Sequence, residues 1–267
     1  MDLGLAGAAV VVAGGTTGMG RAAADCFAAD GARVAVLARS KADLDATAEA
    51  LAALGSPDAI GIPTDLFDAA SVDAAITEAG ERWGHLNAVV NAAGPMPGGL
   101  KGFEEATDDD WHGIFDGVTL SAVRTVRAAL PYLRKAEWAR IVNVSAMSTK
   151  RQSPPLIAYT AAKSALTSLT KNLAQGLAPD GILVNTVSPG TFASESFKAH
   201  LAQVPGVDEH DLHDVMRFIK EGFGHHVFLD RAADPKEIGP VIAFAASARN
   251  TYMTGANLNV DGGSDFT

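Results

Sequence analysis

The chain has 267 residues, 48% of them hydrophobic, with 31 Asp and Glu against 21 Lys and Arg. That apolar content can bury a large core and argues against global disorder. The net charge of −10 argues against a general affinity for nucleic acid or anionic membrane surfaces, though not against a small positive pocket for a phosphate. The length suits one α/β domain spanning residues 1–267. Cys26, the single cysteine, cannot form an intrachain disulfide and is read as a small core residue on a helix face. The first apolar run, "AAVVVAG", is too short to span a bilayer and no basic segment precedes it, so a soluble cytoplasmic protein is expected.

In chain order, β-rich apolar runs fall at 8–13, 33–38, 59–63, 86–92, 140–146, 182–188 and 256–260. Helical-period, Ala-rich runs lie between them near 19–30, 41–54, 69–82, 108–135, 158–178 and 235–247. Strands that read as continuous apolar runs suit a parallel sheet covered on both faces. The alternation predicts right-handed βαβ crossovers and a doubly wound architecture. Residues 191–230 break this rhythm. They are partly helical in pattern, carry His200, His210, His213, His225 and His226, and read as a substrate-covering insertion between the sixth and seventh strands. The histidine spacing matches no closed ligand set, and no metal is expected.

The first strand runs into "AGGTTGMG", which places Gly14, Gly18 and Gly20 with Thr16, Thr17 and Met19 between a strand and a helix. Glycines there permit a tight turn, close approach to a pyrophosphate and tight helix–strand packing, and the helix aims free N–H groups at the phosphates. An acidic residue at the end of the second strand would select NAD(H) through the ribose 2′-OH. Here Ala38 stands there, followed by Arg39, Ser40 and Lys41, while Asp43 and Asp45 fall later on the helix. A guanidinium suits a 2′-phosphate, so NADP(H) is expected over NAD(H). Further on, "YTAAK" puts Tyr159 and Lys163 four apart, on one helical face, where both can reach one cofactor. A neighbouring ammonium would lower the phenol's pKa toward useful acid–base range.

Together "AGGTTGMG", "TDLFD" (64–68), "NAAG" (91–94), "YTAAK", "VSPG" (187–190) and "VDGG" (260–263) resemble the short-chain dehydrogenase/reductase family over nearly the whole chain. The resemblance implies a Rossmann-type sheet of about seven parallel strands and nicotinamide dinucleotide binding. It implies that Asp65 and Leu66 border the adenine and that Asn91, Ala92 and Gly94 lie on the ribose side. Pro189, Gly190, Thr191 and Phe192 would lie by the nicotinamide, and Ser194 takes a place where the family often has Thr. Tyr159 would be the acid/base, and Lys163 would also bond the nicotinamide ribose. A homotetramer or dimer is implied too, with the helices over 108–135 and 158–178 at its interfaces.

Two positions depart from the family. Its catalytic serine usually stands thirteen residues before the tyrosine, which falls here on Ala146. Side chains alternate along an extended strand, so Ser148 shares the side of Ala146 if the chain stays extended that far. Ser148 is therefore favoured as the partner of Tyr159, Ser145 is held open should the loop carry an extra residue, and Thr149 and Ser153 are remoter. The family also often has an asparagine seven residues after a tryptophan, supporting a proton relay. After Trp111 that place is Val118, with Thr119 next.

The expected activity is interconversion of a carbonyl and an alcohol on a small molecule. The rivals are a catalytically impaired sensor or structural protein on the same fold, and a lyase or epimerase using Tyr159 without net hydride transfer. Residues 95–103, 147–157 and 191–230 are expected to line the substrate pocket. Met96, Phe103, Met147, Phe192, Phe197 and Phe218 are candidates for apolar contact.

Overall fold

Every residue of β1 (Ala9–Ala13) is buried, and so is every residue of β4 (Ala88–Asn91) and β5 (Ala139–Val144), which is why these segments read as unbroken apolar runs. The computed structural model describes residues 2–94 and 99–264. With β2 (Arg33–Ala38), β3 (Ala59–Pro63), β6 (Ile182–Pro189) and β7 (Asn257–Val260) the strands form one parallel sheet in the order β3-β2-β1-β4-β5-β6-β7. The order reverses between β1 and β4, and in such a sheet the crevice at the strands' C-terminal ends is the natural ligand site.

Nine α-helices accompany the strands among the described residues: α1 (Gly18–Ala29), α2 (Lys41–Leu54), α3 (Ala69–Trp83), α4 (Asp108–Phe115), α5 (Ser121–Leu133), α6 (Ile157–Leu177), α7 (Glu195–Leu201), α8 (Leu212–Phe223) and α9 (Gly239–Ala245). Alternate strand residues enter opposite cores. Val10, Val12, Val34 and Val36 pack with Phe27 of α1, Leu44 of α2 and Ile242 of α9. Val11, Ala35, Leu37 and Ile141 pack with Ile76 of α3, Leu133 of α5 and Leu177 of α6. Cys26 is half-buried against the first core, and burial, helped by Asp25, pushes its thiol up.

The single helix expected over 108–135 is interrupted. A π turn, Asp116–Leu120, separates α4 from α5. The Ser121 hydroxyl donates back to the Gly117 carbonyl at 2.6 Å, and Thr119 donates to the Ala162 carbonyl of α6 at 2.9 Å. Back-bonding of this kind perturbs helices, and here the π turn lies against α6. The region 191–230 carries α7 and α8, which share a small core of Ala193, Leu201, Val215 and Ala232.

Candidate active site

At the C-terminal ends of the strands, the turn after β1 has no room for side chains. A Cβ on Gly14 would stand 2.8 Å from the Ala93 nitrogen, and one on Gly20 would stand 2.2 Å from the Gly14 carbonyl oxygen. Gly14 and Gly18 also have φ of 80° and 56°, where a side chain is strained. Helices α2, α3, α4, α7 and α8 begin with side-chain caps, whereas Thr17 makes no such bond to α1. The first turn of α1 holds no acidic residue. Uncapped N–H groups behind glycine walls fit the pyrophosphate of a dinucleotide.

Arg39 follows β2 and is exposed, with no side-chain hydrogen bond among the described residues. Its neighbours are engaged otherwise: Ser40 caps α2 by accepting from the Asp43 N–H, and Lys41 pairs with Asp45. Past β3, Asp65 is exposed and its carboxylate accepts the Phe67 N–H at 3.0 Å, while the Leu66 carbonyl accepts from Arg124. Asn91 donates to the Asn143 side chain at 2.8 Å, and Asn143 donates to Thr170 at 2.9 Å. Asn91 thus braces β4 to β5, while its buried Oδ1 keeps no protein partner. The Ala92 N–H caps β1 through the Ala13 carbonyl, and a Cβ on Gly94 would stand 3.0 Å from Lys163 Nζ.

Tyr159 and Lys163 share one face of α6. The Lys163 ammonium lies 5.6 Å from the centroid of the Tyr159 ring and donates to the Val144 carbonyl at the end of β5 at 2.6 Å. Lys163 is 2% exposed, and burial lowers its pKa to about 8. Burial raises the Tyr159 phenol to about 12. The sign expected for the tyrosine from its ammonium neighbour is therefore reversed: desolvation of the phenolate outweighs an ammonium spent on a carbonyl.

The two candidate serines have different fates. Ser145 donates to the Lys163 carbonyl at 3.1 Å and shares a hydrogen bond of 2.9 Å with Thr167, which fixes β5 to α6. Ser148 is 4% exposed, and its hydroxyl has no partner. The chain does not stay extended as far as Ser148: it is extended at Ala146 and then turns through a 3-10 segment, Met147–Thr149. The turn nevertheless puts Ala146, Ser148 and Tyr159 around one cavity. Thr149 caps back onto the Ala146 carbonyl. Val118 is buried in the π turn among Ile114, Ala122, Ala158, Ala162 and Leu166, and its own side chain has no group to hold a water.

The cavity measures about 840 Å³ and runs from Met19, Pro189, Gly190 and Thr191 to residues of α7 and α8. Of the apolar candidates, Met147, Phe197 and Phe218 line it. Phe192 does not; it is buried in the first core, paired with Ala233, because the chain after Thr191 turns its ring toward the sheet. Phe103 is 73% exposed and also outside the cavity, and Met96 lies outside the described residues. Ser194 caps α7, and a Cβ on Gly18 would lie 4.0 Å from its Cβ, so this hydroxyl-bearing residue borders the glycine turn.

Arg151 and His225 fall in segments the sequence led us to expect around the pocket, 147–157 and 191–230, but neither was given a role of its own. Arg151 reaches from the loop after Ser148 to the Gly224 and His226 carbonyls at 3.1 and 3.3 Å. His225 lines the cavity at 9% exposure with its Nε2 unpartnered. Burial, then Arg151, lowers its pKa, with Asp261 pulling the other way. Its position in the irregular stretch over the site was the available signal. Among the described residues, no three His, Cys, Asp or Glu side chains are grouped to hold a metal ion, and no helix is long and apolar enough to cross a membrane.

This architecture has known relatives. Residues 13–265 match the family model described as enoyl-(acyl carrier protein) reductase. An uncharacterised oxidoreductase of Methylorubrum extorquens is 33% identical over 97% of this chain and 98% of its own. Meso-2,3-butanediol dehydrogenase of Serratia marcescens is 31% identical over 95% of this chain and 93% of its own. The solved L-sorbose reductase of Gluconobacter frateurii, in complex with NADPH and L-sorbose, superposes with a TM-score of 0.91 at 27% identity over the whole of both chains. The chain belongs to the short-chain dehydrogenase/reductase family and is an oxidoreductase on a Rossmann-type sheet.

Proposed function

We propose that the protein is an NADP(H)-preferring oxidoreductase that interconverts a carbonyl and an alcohol, with Tyr159 as the acid/base. The observation that carries this reading is that Tyr159, with the Lys163 ammonium beside its ring, and Ser148, whose hydroxyl is unpartnered, border one cavity that reaches Met19 of the glycine turn. The residues fit a dinucleotide: Gly14, Thr16, Thr17, Gly18, Met19 and Gly20 would hold the pyrophosphate, and Arg39 the 2′-phosphate. Asp65 and Leu66 would border the adenine, and Asn91, Ala92 and Gly94 the ribose. Pro189, Gly190, Thr191 and Ser194 would flank the nicotinamide. An NADPH-bound structural relative supports the cofactor class. Phe192 could contribute there only through its backbone, since its ring is buried in the core.

The bound nicotinamide supplies the hydride. At neutral pH Tyr159 is protonated, with its pKa near 12, so it is set to give its proton to the carbonyl oxygen. Ser148 donates to the same oxygen and stabilises its developing charge. Ser145 is the weaker candidate because its hydroxyl is already committed to α6. Lys163 holds the ribose and adds positive charge beside the phenol. Residues 191–230 cover the substrate, and Val118 leaves proton resupply to another route. The Tyr159→Phe variant, assayed with NADPH and a panel of ketones, should lose turnover by about 10²- to 10⁴-fold while retaining cofactor binding; unchanged turnover would overturn the assignment.

A second reading, a dinucleotide-binding protein with impaired catalysis, draws on Ala146 and on the apolar packing of Val118. Saturable NADPH binding with no ketone reduced, in wild type and Tyr159→Phe alike, would favour it. We also read the chain as a homotetramer or dimer, which light scattering tests; a strictly monomeric mass would exclude it.

A further inference from the structure

Away from Tyr159, the cavity has a character opposite to that of the molecule as a whole. The chain carries a net charge of −10, yet no Asp or Glu is among the described residues lining the cavity. The lining side chains that bear nitrogen are Arg151, Gln152, His200 and His225. Around them stand apolar groups, among them Phe218 and Phe223 of α8 in an edge-to-face pair at 6.4 Å. His225 is the most enclosed of the nitrogen-bearing four, at 9% exposure, and its Nε2 has no hydrogen-bond partner. Its place is fixed from both sides in sequence, because Arg151 bonds the Gly224 and His226 carbonyls. Arg151 lies three residues after Ser148, so these bonds tie the backbone around His225 to the segment that carries Ser148.

A buried polar nitrogen without a partner is a cost that a suitably placed ligand atom removes. Pockets of this kind use a mainly apolar wall for affinity and a few polar groups for orientation. We propose that His225 is the specificity-determining residue of this cavity, hydrogen-bonding a second oxygen of the substrate. The substrate class is then an oxo or hydroxy compound with an apolar, ring-sized body and a further oxygen acceptor, a hydroxyl or a carboxylate, remote from the reacting carbon. The substrate assignment rests on the oxidoreductase reading above; the hydrogen-bonding role of His225 is testable without turnover.

The test is calorimetric titration of the NADP⁺-loaded protein with cyclohexanone, 4-hydroxycyclohexanone and 4-oxocyclohexanecarboxylate. At least one of the two ketones that carry a second oxygen function should bind about tenfold or more tightly than cyclohexanone. The preferred ketone shows whether the second oxygen is neutral or anionic. His225→Phe should bring the ratio to near one without weakening cyclohexanone, and His225→Gln, which keeps a donor, should restore part of it. His225→Leu is measured alongside, so that a poorly folding Phe variant does not decide the matter. An equal affinity for all three ketones in wild type, or an undiminished ratio in the folded apolar variants, overturns the assignment of His225. Turnover of the same ketones with NADPH separates the two readings. The expected ratios without reduction of any ketone would leave the role of His225 standing and overturn the reading of Tyr159 as acid/base toward ketones of this class; reduction without those ratios would do the reverse.

Discussion

Ser145 and Ser148 stand three residues apart, and the regions they belong to treat polar atoms in opposite ways. Along the seam between β4, β5 and α6, many polar side chains are bonded to protein: Asn91 to Asn143, Asn143 to Thr170, Ser145 to Lys163 and Thr167, Thr119 to Ala162, although Asn91 Oδ1, Arg140 Nε and Thr160 Oγ1 stay unpartnered there. Around the cavity, the Ser148 hydroxyl and His225 Nε2 have no partner, although both are buried. A typical intramolecular hydrogen bond adds about 1 kcal/mol, whereas an unsatisfied buried polar group costs about 1–3 kcal/mol. The seam therefore contributes stability and holds Lys163 in place. The cavity wall gives some stability up at Ser148 and His225, and these two, unlike the other unpartnered groups, belong to residues that line the cavity, where a ligand can recover the loss.

The largest test of this contrast is at its centre. Tyr159→Phe removes one oxygen and should cost about 10²- to 10⁴-fold in kcat with little change in NADPH affinity, read by stopped-flow and fluorescence titration. The paired serine variants come next. Ser148→Ala should lower kcat by about 10²- to 10³-fold while leaving the melting temperature unchanged or higher, since it deletes an orphan hydroxyl. Ser145→Ala should do the opposite, costing about 1 kcal/mol of stability with a small effect on kcat. If Ser145→Ala were the catalytic lesion and Ser148→Ala the structural one, the division between seam and cavity would be wrong.

A smaller effect probes the seam itself. Burial holds Lys163 at about 8, below its usual 10.5. Below pH 8 the folded protein carries a buried ammonium that the unfolded chain would solvate. Between pH 8 and 10.5 the unfolded chain binds more protons, so stability rises with pH, and above 10.5 the burden is gone. Lys163→Met should thus melt higher than wild type at pH 7, by an amount on the order of a few kcal/mol less the lost bond to Val144, and the gap should narrow between pH 8 and 10.5. A wild type that melts higher at pH 7 would mean that the bond to the Val144 carbonyl outweighs the desolvation.

The sheet was legible because its strands are buried on both faces and so carry a signal independent of their partners. All seven expected strands are present within two residues of their predicted ends. The glycine turn and the pairing of Tyr159 with Lys163 were legible for a similar reason, since both are set by local spacing. What could not be read depends on packing between distant segments. The expected lowering of the Tyr159 pKa ignored desolvation, and the helix over 108–135 hid a π turn imposed by side-chain bonds to backbone carbonyls. Phe192 looked like a pocket residue by its neighbours, yet its ring belongs to the core. Ser148 reached the cavity by a 3-10 turn rather than by strand alternation. Arg151 and His225 are 74 positions apart, and only the folded chain brings their segments together.

Arg39 extends the contrast to the surface, where effects should be smallest. Like Ser148 it has no hydrogen-bonded partner among the described residues, but it is exposed, so water already satisfies it. Its worth to a 2′-phosphate is then that of a solvent-screened, charge-assisted contact rather than a desolvated one. Arg39→Ala should weaken NADPH binding by about tenfold, equivalent to about 1.4 kcal/mol, and leave NADH binding unchanged. Raising the salt from about 0.1 to 1 M shortens the screening length from about 10 to 3 Å and should shrink the NADPH preference of the wild type toward that of the variant. A preference for NADPH that survives both the substitution and the salt would place the selecting group elsewhere, in contact with the adenosine and away from bulk water.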